Sequence, residues 1–196
     1  MNMGKDRLEA FTDGVMAIII TILVLEIPEP EGATFAALWP LRFKLILYLL
    51  SFLAIAVYWN NHHHLFQVTE EISGSVLWAN NFFLLTLSLL PIATAWAGTH
   101  IMAFAPEFTM GLAFFMANLS FYLIIRALVA THGEDTALNN FFGQHYLKPW
   151  FSMGANVIGL LSGFLWPPLV AIFAFINLIP WIIPDHRIDH YLKNKD

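Results

Sequence analysis

The sequence predicts an all-α integral membrane protein with six transmembrane helices in each subunit. Hydrophobic residues make up 58% of the 196 residues, and charged residues only 12%. Soluble domains carry about one quarter charged residues, so this composition indicates a chain that lies mostly in lipid. Six stretches also approach the roughly 20 apolar residues that a helix needs to cross the hydrocarbon core.

The limits of the six predicted helices follow from apolar length and from the positions of prolines. Pro28 and Pro30 end the first, Pro40 lies in the first turn of the second, and Pro91 should kink the third. The segment WPP separates the fifth from the sixth. In chain order we expect helices over 7–27, 41–61, 76–97, 108–131, 149–165 and 168–183.

An even number of spans puts both termini on one side of the membrane, and basic residues indicate which side. Two basic residues, Arg42 and Lys44, are predicted on the side of the membrane opposite the termini. The seven on the side of the termini are Lys5, Arg7, Arg126, Lys148, Arg187, Lys193 and Lys195. The positive-inside rule therefore predicts a multi-pass protein of the cell membrane with both termini cytoplasmic. We expect one six-helix transmembrane domain over 1–185 and a short polar C-terminal tail over 186–196.

Charge and motif content exclude several functional classes. The formal net charge is −5 and no basic stripe is present, so we expect no nucleic-acid partner. No catalytic triad order, H-E-x-x-H motif or glycine-rich phosphate loop appears, so we expect neither an enzyme nor a cofactor. Three adjacent histidines, His62 to His64, also favour polar bracing over metal binding, because consecutive helical residues point about 100° apart.

The first helix begins with charged residues that come close to its apolar stretch. Only twelve residues, 14–25, separate Asp13 from Glu26. At 1.5 Å per residue these cover about 18 Å of a hydrocarbon core near 30 Å. Asp13 therefore lies within or just below the apolar zone, where an ionisable group needs protein or water around it. The second and third helices bring His62, His63 and Asn80 to the same depth.

A second face of this helix is apolar and carries a single hydroxyl. Asp13 lies about 140° from Ile18 around the helix axis. The residues on the Ile18 side are Gly14, Ile18, Thr21, Ile22 and Leu25. In an ordinary membrane helix such a stripe packs against lipid or a neighbouring helix, so by itself it does not assign a function.

A short signature stands at the start of the first helix. Arg7, Phe11, Thr12 and Asp13 form the pattern R-x-x-x-F-[ST]-D. Together with the segments YWNNHHHLF and WANNFFLLTLSLLP, this pattern resembles the TMEM175 family of lysosomal and prokaryotic potassium channels. The signature occurs once, as in the prokaryotic single-repeat form. The resemblance implies a homotetramer in the lipid bilayer whose first helices line a central pore for K⁺ and other monovalent cations.

The resemblance also implies roles for particular residues. Ile18 matches the narrow hydrophobic constriction of the family, Ile22 and Leu25 would form further rings, and Thr21 matches a hydroxyl layer. The residues implied to hold the helices together in a polar network are Arg7, Phe11, Thr12, Asp13, His62, His63, Trp78 and Asn80. The carboxylates that follow Leu25 suit either cation attraction at the outer mouth or an ordinary solvated loop; they are Glu26, Glu29 and Glu31.

An apolar constriction leads to a specific functional expectation. The chain has no T-V-G-Y-G string, so a carbonyl filter of the usual kind is absent from the sequence. K⁺ is hydrated more weakly than Na⁺, so an apolar constriction penalises K⁺ less, and we predict a passive, potassium-preferring cation channel. Three alternatives stay open: proton permeation through the same pore, a secondary transporter with Asp13, His62 and His63 as a proton relay, and a non-conducting scaffold.

Overall fold

The computed structural model describes residues 4–132, 137–142 and 147–182, and this part of the chain forms helices and no strand. The all-α prediction is therefore confirmed. The helices are α1 (Lys5–Leu25), α2 (Arg42–Gln67), α3 (Gly74–Ser88), α4 (Leu90–Thr99), α5 (Phe104–His132), α6 (Ala137–Phe142), α7 (Lys148–Ser162) and α8 (Leu169–Ile182). The predicted polar tail over 186–196 and the last residue of the sixth predicted helix lie outside the described residues.

Six helical units occupy the predicted positions. They are α1, α2, α3 with α4, α5, α7 and α8. The first four units are long and apolar enough to cross a membrane. The span that contains α2 begins earlier, at Phe35. α7 has 15 residues and α8 has 14. Helices of that length extend only about 21–23 Å, which is less than the hydrocarbon thickness.

The third unit is interrupted next to its proline. α3 ends at Ser88 and α4 begins at Leu90, so Leu89 alone separates them. Pro91 consequently lies in the first turn of α4, where its missing N–H leaves no partner unpaired. The predicted kink is thus a one-residue break. Hydrogen bonds still cross the break. The N–H of Leu89 donates to the carbonyl oxygen of Thr86 at 3.3 Å, and the carbonyl oxygen of Leu89 accepts from the N–H of Ala93 at 3.2 Å.

Two short elements lie outside the predicted helices. One is α6, between α5 and α7, and the other is a 3-10 segment, Phe35–Leu41, before α2. Phe35 and Trp39 of this segment are exposed, and the Arg42 guanidinium donates to the carbonyl oxygen of Trp39 at 2.9 Å. Exposed aromatic rings beside a basic residue at a helix end are typical of the membrane–water interface.

α5 is the central helix of the bundle and contacts α3, α4, α7 and α8. Its Phe121 ring lies 5.6 Å from that of Phe83 in α3. Between α2 and α4, the hydroxyls of Ser51 and Thr94 are buried and 2.6 Å apart. Because lipid offers no water to satisfy buried hydroxyls, such pairs form between helices. α1 packs at the edge of this bundle, against α2, α3 and α4.

Candidate functional site

α1 buries one face against the bundle and leaves the opposite face uncovered. The buried residues recur every three or four positions, which is the spacing of one helical face; they are Leu8, Thr12, Met16, Ile19 and Leu23. On the other side Ile18 is 59% exposed, Ile22 40% and Leu25 80%. The predicted apolar stripe is therefore not buried inside the subunit.

Thr21 adds one polar atom to the exposed face. Its hydroxyl donates to the carbonyl oxygen of Ile18 at 2.7 Å. A hydroxyl has a single proton, so this bond uses the donor and leaves the oxygen as an acceptor on an exposed side chain. The face around Ile18 therefore combines apolar side chains with an oxygen suited to contact a cation.

A chain of hydrogen bonds connects α1, α3 and α2 on the buried side. The amide nitrogen of Asn80 donates to the hydroxyl of Thr12 at 2.9 Å, and its amide oxygen lies 3.0 Å from Nε2 of His62. Since the amide oxygen only accepts, Nε2 must carry the proton in this arrangement. All three side chains are buried. The Thr12–Asn80–His62 chain thus satisfies polar groups that lipid would leave unpaired.

Aromatic packing fixes the imidazole of this chain. The ring of His62 stacks on Phe66 at 4.3 Å and lies nearly parallel to Phe83 at 6.2 Å, with an interplanar angle of 6°. Both phenylalanines are fully buried. The ring therefore has a defined orientation, with its Nε2 edge toward Asn80.

Asp13 is held by a tryptophan on α2 rather than by the histidines. The indole N–H of Trp59 donates to a carboxylate oxygen of Asp13 at 2.8 Å. The indole also stacks on the imidazole of His63, with ring centres 5.9 Å apart, and Nε2 of His63 lies 3.0 Å from the amide nitrogen of Gln67. Asp13 is exposed in the subunit. The two polar clusters around Asp13 and Thr12 are thus separate.

Trp59 is a site residue that the sequence prediction does not include. It lies four positions before His63, so the two side chains share one face of α2. Its indole can only donate, which makes it a natural partner for a carboxylate at the same depth. Spacing and donor type together could have identified it.

Three predicted members of the polar network lie at the surface of the subunit. Arg7 is exposed, Phe11 is 55% exposed and Trp78 is 77% exposed. Within the described residues, no hydrogen bond joins the side chain of Arg7 or Trp78 to the Thr12–Asn80–His62 chain. Their implied role in the network remains a prediction.

The acidic residues after α1 form an exposed group. Glu26 caps the C-terminus of α1, and Glu29 and Glu31 lie in the turn that follows. Gly32 completes this turn with φ of +133°, a conformation that residues with a Cβ rarely adopt. Three carboxylates therefore lie within a few residues of Leu25, at the end of the exposed stripe.

The histidines at the end of α2 bond to a glutamine. Nδ1 of His64 lies 3.4 Å from the amide oxygen of Gln67, whose nitrogen approaches His63. Within 4–132, 137–142 and 147–182, no three His, Cys, Asp or Glu side chains are grouped so that they could hold a metal ion.

Comparisons with known proteins find relatives of this chain. The family model described as "Endosomal/lysosomal potassium channel TMEM175" matches residues 7–91. Potassium channel HX13_20290 of Chryseobacterium sp. (strain P1-3) is 41% identical over 97% of this chain and 99% of its own length. The endosomal/lysosomal proton channel TMEM175 of Danio rerio is 27% identical over 90% of this chain, but over only 37% of its own length.

One solved structure shows the same fold. It is the crystal structure of a lysosomal potassium-selective channel TMEM175 homolog from Chamaesiphon minutus, and the TM-score is 0.78. The match covers 91% of this chain and 96% of that chain, at 24% sequence identity. Most of the helical arrangement is therefore shared, and not only the segment that carries the signature.

Proposed function

Since the chain belongs to the TMEM175 family of ion channels, we propose that it is a potassium channel that conducts passively through a pore lined by α1 of four copies. The observation that carries this proposal is the exposed stripe of Ile18, Ile22 and Leu25 on a helix whose opposite face is held to the bundle. The family is one of ion channels and not of enzymes.

A homotetramer gives this stripe a common environment. Four α1 helices around one axis would bring four copies of Ile18 together, while Leu8, Met16 and Leu23 stay in contact with their own subunit. The exposed Arg7 and Trp78 suit contacts across the subunit boundary. Native mass spectrometry of the detergent-solubilised protein should give four copies. A monomer or a dimer would contradict the pore arrangement.

The constriction would select ions by the cost of removing water. Ile18 side chains offer no ligands, so an ion passes only by shedding water or when the ring widens and becomes wet. K⁺ sheds water more easily than Na⁺, which favours K⁺ without a carbonyl filter. The acceptor oxygen of Thr21, one turn along the helix, would compensate part of the lost hydration. Glu26, Glu29 and Glu31 would raise the cation concentration near the outer mouth.

Flux through liposomes tests the constriction directly. Ile18→Asn places an amide in the ring, so K⁺ flux should rise or discrimination against Na⁺ should fall. Ile158→Asn is the matched control, because Ile158 in α7 is 56% exposed, close to the 59% of Ile18. Wild-type flux no greater than that of empty liposomes, or equal effects of the two variants, would contradict the proposal.

We also propose that the protein resides in the cell membrane with both termini cytoplasmic. The seven-to-two distribution of Lys and Arg supports this orientation. The chain contains no Cys, so single cysteines at positions 4 and 34 can be labelled without interference. An impermeant thiol reagent added to whole cells should modify position 34 and leave position 4 unmodified.

Proton conduction through the same pore is a second candidate. The relative from Danio rerio is named a proton channel, and an apolar constriction can pass H⁺ where larger ions stop. Reversal potentials separate the two candidates. A potential that follows the K⁺ gradient supports the first, and a potential that follows the pH gradient supports the second.

A secondary transporter remains the alternative from another class. It would use Asp13, His62 and His63 as a proton relay. In the subunit Asp13 bonds to Trp59 and His62 to Asn80, so the described hydrogen bonds do not form a continuous path between them. Saturable uptake that stops in Asp13→Asn would nevertheless favour the transporter over the channel.

A further inference from the structure

Glu107 is a buried carboxyl group that the proposed pore does not use. It lies in the first turn of α5 and is 0% exposed. Neither carboxyl oxygen has a hydrogen-bond partner among the described residues. In the Thr12–Asn80–His62 chain, by contrast, each buried side chain is bonded to another. Buried polar groups without partners are rare, and in membrane helices an ionisable one marks a functional position.

Close helix packing encloses this carboxyl group. Gly111, one turn further along α5, lies so near α8 that an added Cβ would come within 2.3 Å of Val170 and 2.9 Å of Leu160 in α7. The backbone N–H of Ala171, in the first turn of α8, is within electrostatic reach of Glu107, but neither oxygen meets hydrogen-bond geometry. Glu107 therefore lies where the N-termini of α5 and α8 meet.

Among the described residues of the helices that pack against α5, no cation is placed to neutralise Glu107. α3, α4 and α8 carry no charged side chain, and His100, which follows α4, is exposed. Lys148 begins α7 and has its ammonium over the ring of Trp181, near the last described residues of α8. The positive ends of two helix dipoles favour an anion, but this effect is smaller than the cost of burying an unpaired charge in a membrane protein.

A proton fits this position better than a metal ion. K⁺ or a divalent cation needs several oxygen ligands, and the described residues contain no group of three carboxylate or imidazole ligands. We propose that Glu107 is a proton-binding site between the N-termini of α5 and α8, and that release of the proton loosens the start of α8 from α5. This site is separate from the exposed face of α1 and does not depend on the proposed conduction path.

Labelling with the hydrophobic reagent dicyclohexylcarbodiimide tests the protonation state in the intact protein. The carboxyl group gives its proton to a nitrogen of the reagent while its oxygen bonds to the central carbon, so the ionised form reacts far less. Mass spectrometry should find the adduct on Glu107 at neutral pH. Above the midpoint of titration, labelling should fall about tenfold for each pH unit.

Two variants identify the source of the signal. Glu107→Gln keeps the size of the side chain without an ionisable group, so labelling should disappear while the protein remains folded. Glu71→Gln is the control: Glu71 is exposed in the connection between α2 and α3, and its backbone N–H donates to His132 at the opposite end of α5 from Glu107. Labelling of Glu107 should be unchanged in this variant. Gly111→Ala should separate α8 from α5, admit water to the carboxyl group and reduce labelling at neutral pH.

Infrared spectroscopy of the wild type provides a readout that needs no variant. A carbonyl band of a protonated carboxylic acid should be present at neutral pH, vanish on raising the pH, and be missing from Glu107→Gln. Ionised Glu107 throughout the range from about pH 5 to pH 9 would overturn the proposal. Protection from labelling by K⁺ at constant pH would also overturn it, because a cation and not a proton would then occupy the site.

Discussion

The two faces of α1 differ in what surrounds them. On the buried face, Thr12 is bonded to Asn80, and Asn80 to His62, so side chains of three helices are joined. On the exposed face, Ile18 and Leu25 are each more than half exposed, and the hydroxyl of Thr21 donates to the backbone of its own helix. One face is therefore fixed by specific polar contacts, and the other is available to whatever lies outside the subunit.

This difference separates the face of α1 that stabilises the subunit from the face that we propose lines the pore. In a bilayer, apolar side chains gain little by moving from lipid to a helix interface. The position and rotation of a helix therefore depend on packing and on interhelical hydrogen bonds. The buried face supplies both, with Met16 and Ile19 packed beside Thr12 along the helix. The exposed face can then vary in chemistry without loss of the fold, which is what its proposed role in permeation requires.

The largest expected loss of stability follows from removal of the Asn80 amide at the centre of the Thr12–Asn80–His62 chain. Asn80→Leu leaves the hydroxyl of Thr12 and the imidazole of His62 without partners. We expect the free energy of unfolding to fall by about 2–3 kcal/mol, which is more than the roughly 0.6 kcal/mol typical of one interhelical hydrogen bond, because two buried groups are left unpaired.

Denaturation in detergent micelles measures this effect. Asn81→Leu is the matched control, since Asn81 is the next residue of α3 and is exposed. It should change the free energy of unfolding by no more than about 0.5 kcal/mol. Equal losses in the two variants would show that the Thr12–Asn80–His62 chain does not stabilise the bundle.

A smaller effect should distinguish two adjacent isoleucines. Ile19 is 3% exposed and Ile18 59%. Ile19→Ala leaves a cavity against the bundle, so we expect a loss of about 1–2 kcal/mol; the transfer contribution known from soluble proteins is largely absent in lipid. Ile18→Ala should change stability by less than about 0.5 kcal/mol and should widen the proposed constriction. The same denaturation series, paired with liposome flux, checks both expectations. A large loss of stability in Ile18→Ala would contradict the assignment of faces.

Apolar length and prolines were sufficient to predict most of the fold. The break at Leu89 follows from Pro91, and all six predicted helix starts lie within four residues of those observed. The short α6 could not be predicted in this way, because six residues in a polar connection have no long apolar pattern. The 3-10 segment before α2 also differs from the prediction that Pro40 lies in the first turn of the second helix. Pro40 lies inside this segment, because the fixed φ of proline fits a 3-10 turn as well as the start of an α-helix.

The site was harder to predict, because the depth of a residue in the membrane does not determine how its helix is rotated. Span lengths place Asp13, His62 and Asn80 at one depth, but they do not say which pairs bond. In the structure His62 bonds to Asn80, whereas Asp13 bonds to Trp59. That choice depends on how α2 is rotated in the bundle. The orphan carboxyl of Glu107 also escapes prediction, because its burial depends on close approach of α8 at Gly111.

The smallest change on the exposed face should alter selectivity and leave stability intact. Thr21→Val removes an oxygen but keeps the shape of the side chain, and the lost bond to Ile18 is local and exposed. We expect a change in stability below about 0.5 kcal/mol and a decrease in the K⁺/Na⁺ permeability ratio of up to about tenfold, equivalent to 1.4 kcal/mol. Bi-ionic reversal potentials measure the ratio. Thr99→Val is the control, because the hydroxyl of Thr99 makes an equivalent bond to Ala95 at 2.9 Å on an exposed part of α4. If Thr21→Val leaves the ratio unchanged, the proposed constriction discriminates by hydration alone, and the oxygen on this face does not contact the ion.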